Sequence, residues 1–254
     1  MLKKLIICIC VIITLSIAYA LENQIEPKKI IWPFDGILGT VDRQSAQRGF
    51  QVYKEVCSVC HGLNQLSYRN LQSIGFSEAE IKEIAKQYNL TDGPNDDGEM
   101  FERPALPSDH FISPYPNEQT ARAVNNGAYP PDLSLIIKAR HDGANYMHSL
   151  LTGYSYEPPK DFVVSEDLYY NPYFPEFQIA MPPPLTNDQV VYADGTNATV
   201  EQMSRDVVVF LQWAAEPEME SRKSMGLKVM IFLVVFTILF YIAKIKSWSK
   251  LKHK

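Results

Sequence analysis

Cysteine is scarce in this chain of 254 residues: there are four, and Cys8 and Cys10 sit in the first apolar stretch. If that stretch is removed, only Cys57 and Cys60 remain, and both belong to one short motif. Two such thiols cannot staple a fold, which excludes a disulfide scaffold. Basic residues are scarce across 21–224, where 29 acidic residues face 16 Lys and Arg, a formal −13 against −5 for the whole chain. That balance excludes a nucleic-acid partner and suits electrostatic steering of a basic protein. Acidic residues stop at Glu220, and there are neither internal repeats nor low-complexity tracts.

What is present centres on Cys57-Ser58-Val59-Cys60-His61. The pattern C-x-x-C-H reads as an attachment site for one covalent haem c. In a helical segment Cys57, Cys60 and His61 stand at i, i+3 and i+4 and project from one face. Two thiols then reach the vinyl groups at the haem edge while the imidazole meets the iron as proximal ligand. A redox dithiol needs no His at the next position, and a zinc site needs two further Cys or His ligands at short spacing.

The two ends read as export and anchor. Lys3 and Lys4 precede an apolar run from Leu5 to Ile17, and Ala18-Tyr19-Ala20 has the form of a cleavage site. Residues 1–20 are therefore expected to be a secretory signal for export from a bacterial cytoplasm. Near the other end Met225 to Ala243 carries a single charge, Lys228. Nineteen residues give about 28 Å of helix, enough to cross a bilayer. Lys244, Lys246, Lys250, Lys252 and Lys254 follow. By the positive-inside rule the tail 244–254 stays cytoplasmic, and the domain 21–224 faces the periplasm of a cell-membrane protein. Tyr241 and Trp248 suit the membrane interface.

Between the ends the pattern is mainly helical. Trp32-Pro33-Phe34 is expected to open an extended stretch. Asp42 or Ser45 would cap a helix with Ala46, Phe50, Tyr53 and Cys57 along one stripe. Ser77 to Glu80 is a capping box before Ile81, Ile84, Ala85 and Tyr88. Asp92 to Glu102 reads as a polar acidic loop, and prolines 104, 107, 114 and 116 argue against regular structure after it. Helices are expected from Glu118 to Asn126, ended by Gly127, and from a turn at Pro130-Pro131-Asp132 through Ala139. Arg140 to Tyr146 reads as a polar loop, in which Arg140 and Tyr146 are candidates for holding a haem propionate. Tyr154 to Pro175 reads as ordered loop. Thr199 to Gln202 is a second capping box, opening a helix with Val200, Met203, Val207, Phe210, Leu211 and Ala214.

A neutral thioether ligand must be held at the iron by the chain around it. Met181 stands directly before Pro182, Pro183 and Pro184, a stiff extended backbone, and is the candidate sixth ligand. His110 and His148 are its rivals, with His141 behind them.

With these pieces in place the chain resembles the cytochrome c1 family, the haem subunits of ubiquinol–cytochrome c reductase (cytochrome bc1) complexes. The resemblance lies in Arg48 to Tyr53 before the C-x-x-C-H motif, Ala123 to Ser134, Ala139-Arg140-His141, Leu150 to Tyr154, Leu168 to Pro175, Trp213 to Glu218 and Met225 to Lys228. It implies a mainly α, c-type cytochrome fold with large inserted loops and one C-terminal transmembrane helix. It also implies that Cys57 and Cys60 carry the haem, that His61 and Met181 ligate the iron, and that Arg140 and Tyr146 lie near a propionate. Relatives often have Cys where Ser155 or Tyr156 stands, so a disulfide there is absent.

The implied role is an electron carrier in the respiratory chain, not a catalyst by itself. It would take one electron from the Rieske iron–sulfur subunit and pass it to cytochrome c, with cytochrome b as a further partner. Two other readings stay open: an anchored cytochrome c serving a terminal oxidase, and a haem enzyme with a vacant sixth site.

Overall fold

The computed structural model describes residues 25–249, so the expected signal at 1–20 and Lys250, Lys252 and Lys254 lie outside the described residues. These residues form two compact units, 25–30 with 43–215 and 31–42 with 216–249. The chain is mainly α with a few short strands.

In the first unit the leading helix, α1 (Arg43–Glu55), buries Ala46, Gly49, Phe50, Val52 and Tyr53. This is the stripe expected from spacing. It begins directly after Asp42, and Ser45 lies inside it, where its Oγ accepts a hydrogen bond from Arg48. Further on come α2 (Glu78–Ala85), α3 (Glu118–Val124), α4 (Gly143–Thr152) and α5 (Val200–Ala215). The first capping box forms as read and the second only in half, since the Thr199 amide donates to Asn197 O and the Gln202 side chain turns to Asp206. Ser77 Oγ accepts from the Glu80 amide while the Glu80 carboxylate accepts from the Ser77 amide, and Thr199 Oγ1 accepts from the Gln202 amide.

The core lies where α1 crosses α5. Phe50 and Tyr53 meet Phe210 with ring centroids 5.7 Å apart, and Phe50 also packs edge-on to Phe76 and Phe111. Gly49 is what lets the backbones approach, because a Cβ there would lie 2.0 Å from the Asp206 carbonyl oxygen. Beside it the Arg48 guanidinium holds both oxygens of the buried Asp206 carboxylate at 2.9 Å, and Gln202 donates to the same group. Charge in a core is tolerated only when paired and hydrogen-bonded this fully.

Four expectations need correction. The acidic stretch is the tip of an antiparallel hairpin, β1 (Asn89–Asp92) with β2 (Phe101–Pro104), in register Asn89↔Pro104 and Asp92↔Phe101. Arg103 ties its base by bonding Asp92 and Asp109. No helix runs to Ala139: the Leu133 amide donates to Gly62 O, which pulls this segment out of helical register and leaves successive turns. The expected loop at Arg140 to Tyr146 instead turns into α4 at Gly143, where a Cβ would lie 1.7 Å from Ile137 O. In the second unit Trp32-Pro33-Phe34 forms tight turns, with the Asp35 amide donating to Trp32 O and the Thr40 amide to Pro33 O.

The long segment after α4 is pinned by Asn171, which is fully buried. Its Nδ2 donates to Leu150 O and its Oδ1 accepts from the Tyr173 amide. Its own amide donates to Phe177 O, just before β3 (Tyr169–Tyr170) pairs with β4 (Gln178–Ile179).

The second unit is built on α6 (Met219–Ser249), which contains the whole apolar run and is long and apolar enough to cross a membrane. The turns at 31–42 are tied to its first residues. Lys223 Nζ donates to Phe34 O and Gly39 O, and Glu220 accepts from the Val41 amide.

Candidate haem site

Helix α1 ends at Glu55, and the chain tightens into a 3-10 turn at Cys57–Val59. The amides of Cys60 and His61 both donate to Cys57 O, at 3.1 and 2.9 Å. The three motif residues thus share one helical turn, and both thiols are free and half-buried. Desolvation, then the neighbouring Cys60, push the Cys57 thiol up to about 12. A raised value is the opposite of what activates a redox dithiol.

His61 is held from two sides. Its backbone oxygen accepts from Tyr53 Oη at 3.1 Å, and its Nδ1 lies 2.7 Å from the Pro131 carbonyl oxygen. A carbonyl only accepts, so Nδ1 carries the proton and Nε2 keeps its lone pair for a metal. Desolvation keeps the imidazole below its ordinary value, partly offset by the Pro131 bond and Asp132. A neutral ring with a free Nε2 is the donor an iron needs. Two free thiols on the same turn complete a set that fits a covalently attached haem.

The turn at 130–132 is part of the same construction. Asp132 accepts from the Asn64 and Ser134 amides, each at 2.8 Å, and Leu133 donates to Gly62 O. A cleft of about 230 Å³ opens beside Cys60, lined by Asn64, Tyr115, Tyr129, Pro130 and Asp132 among others.

Met181 follows β4 and is half-buried, ahead of the exposed Pro182 and Pro183. Its carbonyl accepts a 2.9 Å hydrogen bond from Tyr154 Oη. Burial raises Tyr154 above its ordinary range, so it remains a neutral donor. Tyr146, on α4, is also raised by burial, with the positive charge of Arg140 pulling the other way. Arg140 is exposed and donates to Ala139 O.

The rival histidines differ in what holds them. His148 is buried at 1% exposure, with Nε2 at 3.0 Å from Glu201 Oε1. His110 is exposed and its Nδ1 donates to Asn64 O at 2.8 Å, which leaves its Nε2 available as in His61, and His141 is exposed, so of the three only His148 is engaged through Nε2. Sequence reasoning missed the parts played by Pro131, Asp132 and Tyr154. A backbone carbonyl carries no residue-type signal, and Tyr154 is one of fourteen tyrosines.

Comparison with known proteins gives one answer. A family model described as the cytochrome C1 family matches residues 32–251. The chain is 47% identical to cytochrome c1 of Rhodospirillum rubrum, over 93% of this chain and 92% of the relative. It is 50% identical to "Cytochrome c1 1, heme protein, mitochondrial" of Arabidopsis thaliana, over 95% and 78%. It is 46% identical to the "Cytochrome b-c1 complex catalytic subunit, mitochondrial" of Candida albicans, over 92% and 82%. The chain therefore belongs to the cytochrome C1 family, whose proteins bind one covalent haem c, and Cys57 and Cys60 stand in its C-x-x-C-H segment.

Proposed function

We propose that the protein is the electron-carrying haem subunit of a ubiquinol–cytochrome c reductase, taking one electron from a Rieske iron–sulfur subunit and delivering it to a cytochrome c. The observation that carries the reading is the bond from His61 Nδ1 to Pro131 O, on the same turn as the two free thiols. It leaves one imidazole nitrogen available and fixes the ring. Cytochrome b is the further partner, by analogy with relatives named for that complex.

When bound, the haem supplies a one-electron iron couple. The residues of this chain hold and tune it. Cys57 and Cys60 would carry it through thioethers, His61 Nε2 would ligate from one side, and Met181 sulfur from the other. A His/Met pair raises the potential, which makes acceptance from a quinol-side donor downhill. Tyr154 holds the Met181 backbone, as a weak neutral ligand requires. Arg140 and Tyr146 would bind a propionate, since a guanidinium matches carboxylate geometry. His61 and Met181 together would leave the iron no open position for oxygen or peroxide, which separates this reading from a haem enzyme.

In the membrane the protein would be single-pass, with 21–224 in the periplasm, 225–243 spanning and 244–254 in the cytoplasm, after removal of 1–20. The positive tail and the length of α6 support this orientation. Purification in mild detergent, with haem staining of the denatured subunit and identification of its companions, tests the whole reading. A haem-stained band that co-purifies with a Rieske protein and cytochrome b is expected. A denatured chain without porphyrin overturns it, and co-purification with a terminal oxidase moves the protein to that chain of carriers.

A further inference from the structure

The turns at 31–39 carry three large apolar side chains that face nothing: Ile31, Ile37 and Leu38 are 90%, 78% and 76% exposed. Exposed apolar residues clustered within nine positions of one loop are uncommon on a purely water-facing surface. The loop is also rigid in its own unit. Trp32 and Phe34 are buried and stack at 5.5 Å with planes 9° apart, and Asp35 accepts from the Trp32 amide at 2.8 Å. Its neighbours cannot fold Ile37 and Leu38 inward without breaking that arrangement.

Where the loop is pinned says what covers it. Lys223 holds the backbone at Phe34 and Gly39, and Glu220 holds it at Val41. Both anchors precede Met225, the first residue of the apolar run, by two and five positions, about 3 and 7.5 Å of helix rise. The headgroup layer of one leaflet is about 5–7.5 Å thick. With the run from Met225 in hydrocarbon, both anchors fall at headgroup depth and the apolar loop borders the acyl chains.

We propose that the loop 31–39 is a second membrane contact, with Ile37 and Leu38 inserted at the boundary between headgroups and acyl chains beside the start of α6. The proposal rests on the reading of α6 as a membrane span. It makes the unit 31–42 with 216–249 a collar, so that the anchor meets the bilayer at two points and its depth at that end is set. Apolar area buried in this boundary adds to binding as it does for interfacial helices. Lys223 serves both ends of the device, since its ammonium is held at the wet side while the loop it grips reaches the apolar side.

The test uses the detergent-purified holoprotein, in its complex, returned to phosphatidylcholine/phosphatidylglycerol nanodiscs. Nitroxide labels are placed at Ile37→Cys and Leu38→Cys, with Val163→Cys as an exposed reference and Leu233→Cys as a mid-helix reference. Collision with oxygen reports lipid, and collision with a charged nickel chelate reports water. Labels at 37 and 38 are expected to collide with oxygen as at 233 and to lose nickel collisions several-fold relative to 163. Nickel access at 37 and 38, with 233 still in lipid, overturns the proposal and leaves the span intact. Nickel access at 233 as well overturns the span and the proposal with it. Protection of 37 and 38 from both reagents overturns the proposal by showing that a protein partner covers the loop.

Discussion

Tyr154 Oη donates to the carbonyl of Met181 across twenty-seven positions, at 2.9 Å. The bond joins the turn after α4 to the proline-stiffened segment, and it acts on backbone, leaving the Met181 sulfur unencumbered. The long loop between them is set first by Asn171, so the Met181 segment is placed by the hydrogen bonds of a buried Asn171 and a half-buried Tyr154 and not by a helix.

Met181→Leu is expected to keep the haem attached, lower the reduction potential and admit carbon monoxide to the reduced protein at neutral pH. Tyr154→Phe removes only the backbone tether, so it should give a smaller drop with partial carbon monoxide binding. Redox titration and difference spectra check both. An unchanged potential in Met181→Leu identifies another residue as the sixth ligand.

Asp206→Ala removes the buried partner of the Arg48 guanidinium and leaves it only the exposed Asp194 carboxylate at 2.9 Å. Breaking a buried pair in this way costs about 3–5 kcal/mol. The double variant Arg48→Met with Asp206→Leu is expected to recover much of the loss. Denaturant midpoints of the four members of the cycle decide it, and an additive cycle would mean that the two groups do not interact.

Acid should weaken the fold through His148. Desolvation holds its imidazole below the ordinary value, opposed by Glu201 and reinforced by Lys28 and Arg205. Because the unfolded chain then takes up the proton more readily, its contribution is complete above about pH 6.5 and is lost as the pH falls through the folded-state value. Unfolding midpoints measured from pH 7.5 down to 5 should decline, and His148→Gln should flatten the decline. An identical slope in the variant would assign it to other groups.

Electron delivery to a basic partner should slow as salt rises, since exposed charges are screened beyond about 8 Å at physiological ionic strength. Stopped-flow rates of cytochrome c reduction against ionic strength measure this. A flat profile removes the acidic surface from the encounter.

Residue type and spacing were enough for the haem motif, the capping box at Ser77, the buried stripe of α1, the helix α5 and the apolar run inside α6. Each is a local pattern: a side-chain cap, a 3.6-residue period or an uninterrupted apolar length states its own structure. The hairpin at 89–104, the loss of helix before Ala139 and the start of α4 at Gly143 were not legible. They depend on Arg103 reaching Asp92 and Asp109, on Leu133 bonding Gly62, and on a backbone approach that only glycine permits. The same division runs through the site. Cys57, Cys60, His61 and Met181 stand out by chemistry and neighbours, whereas Pro131 O and Tyr154 Oη act through positions that only the folded chain creates. Sequence marked the candidate ligand atoms; tertiary structure decided which nitrogen of His61 is free and what holds Met181, because hydrogen bonds between distant segments have no local signature.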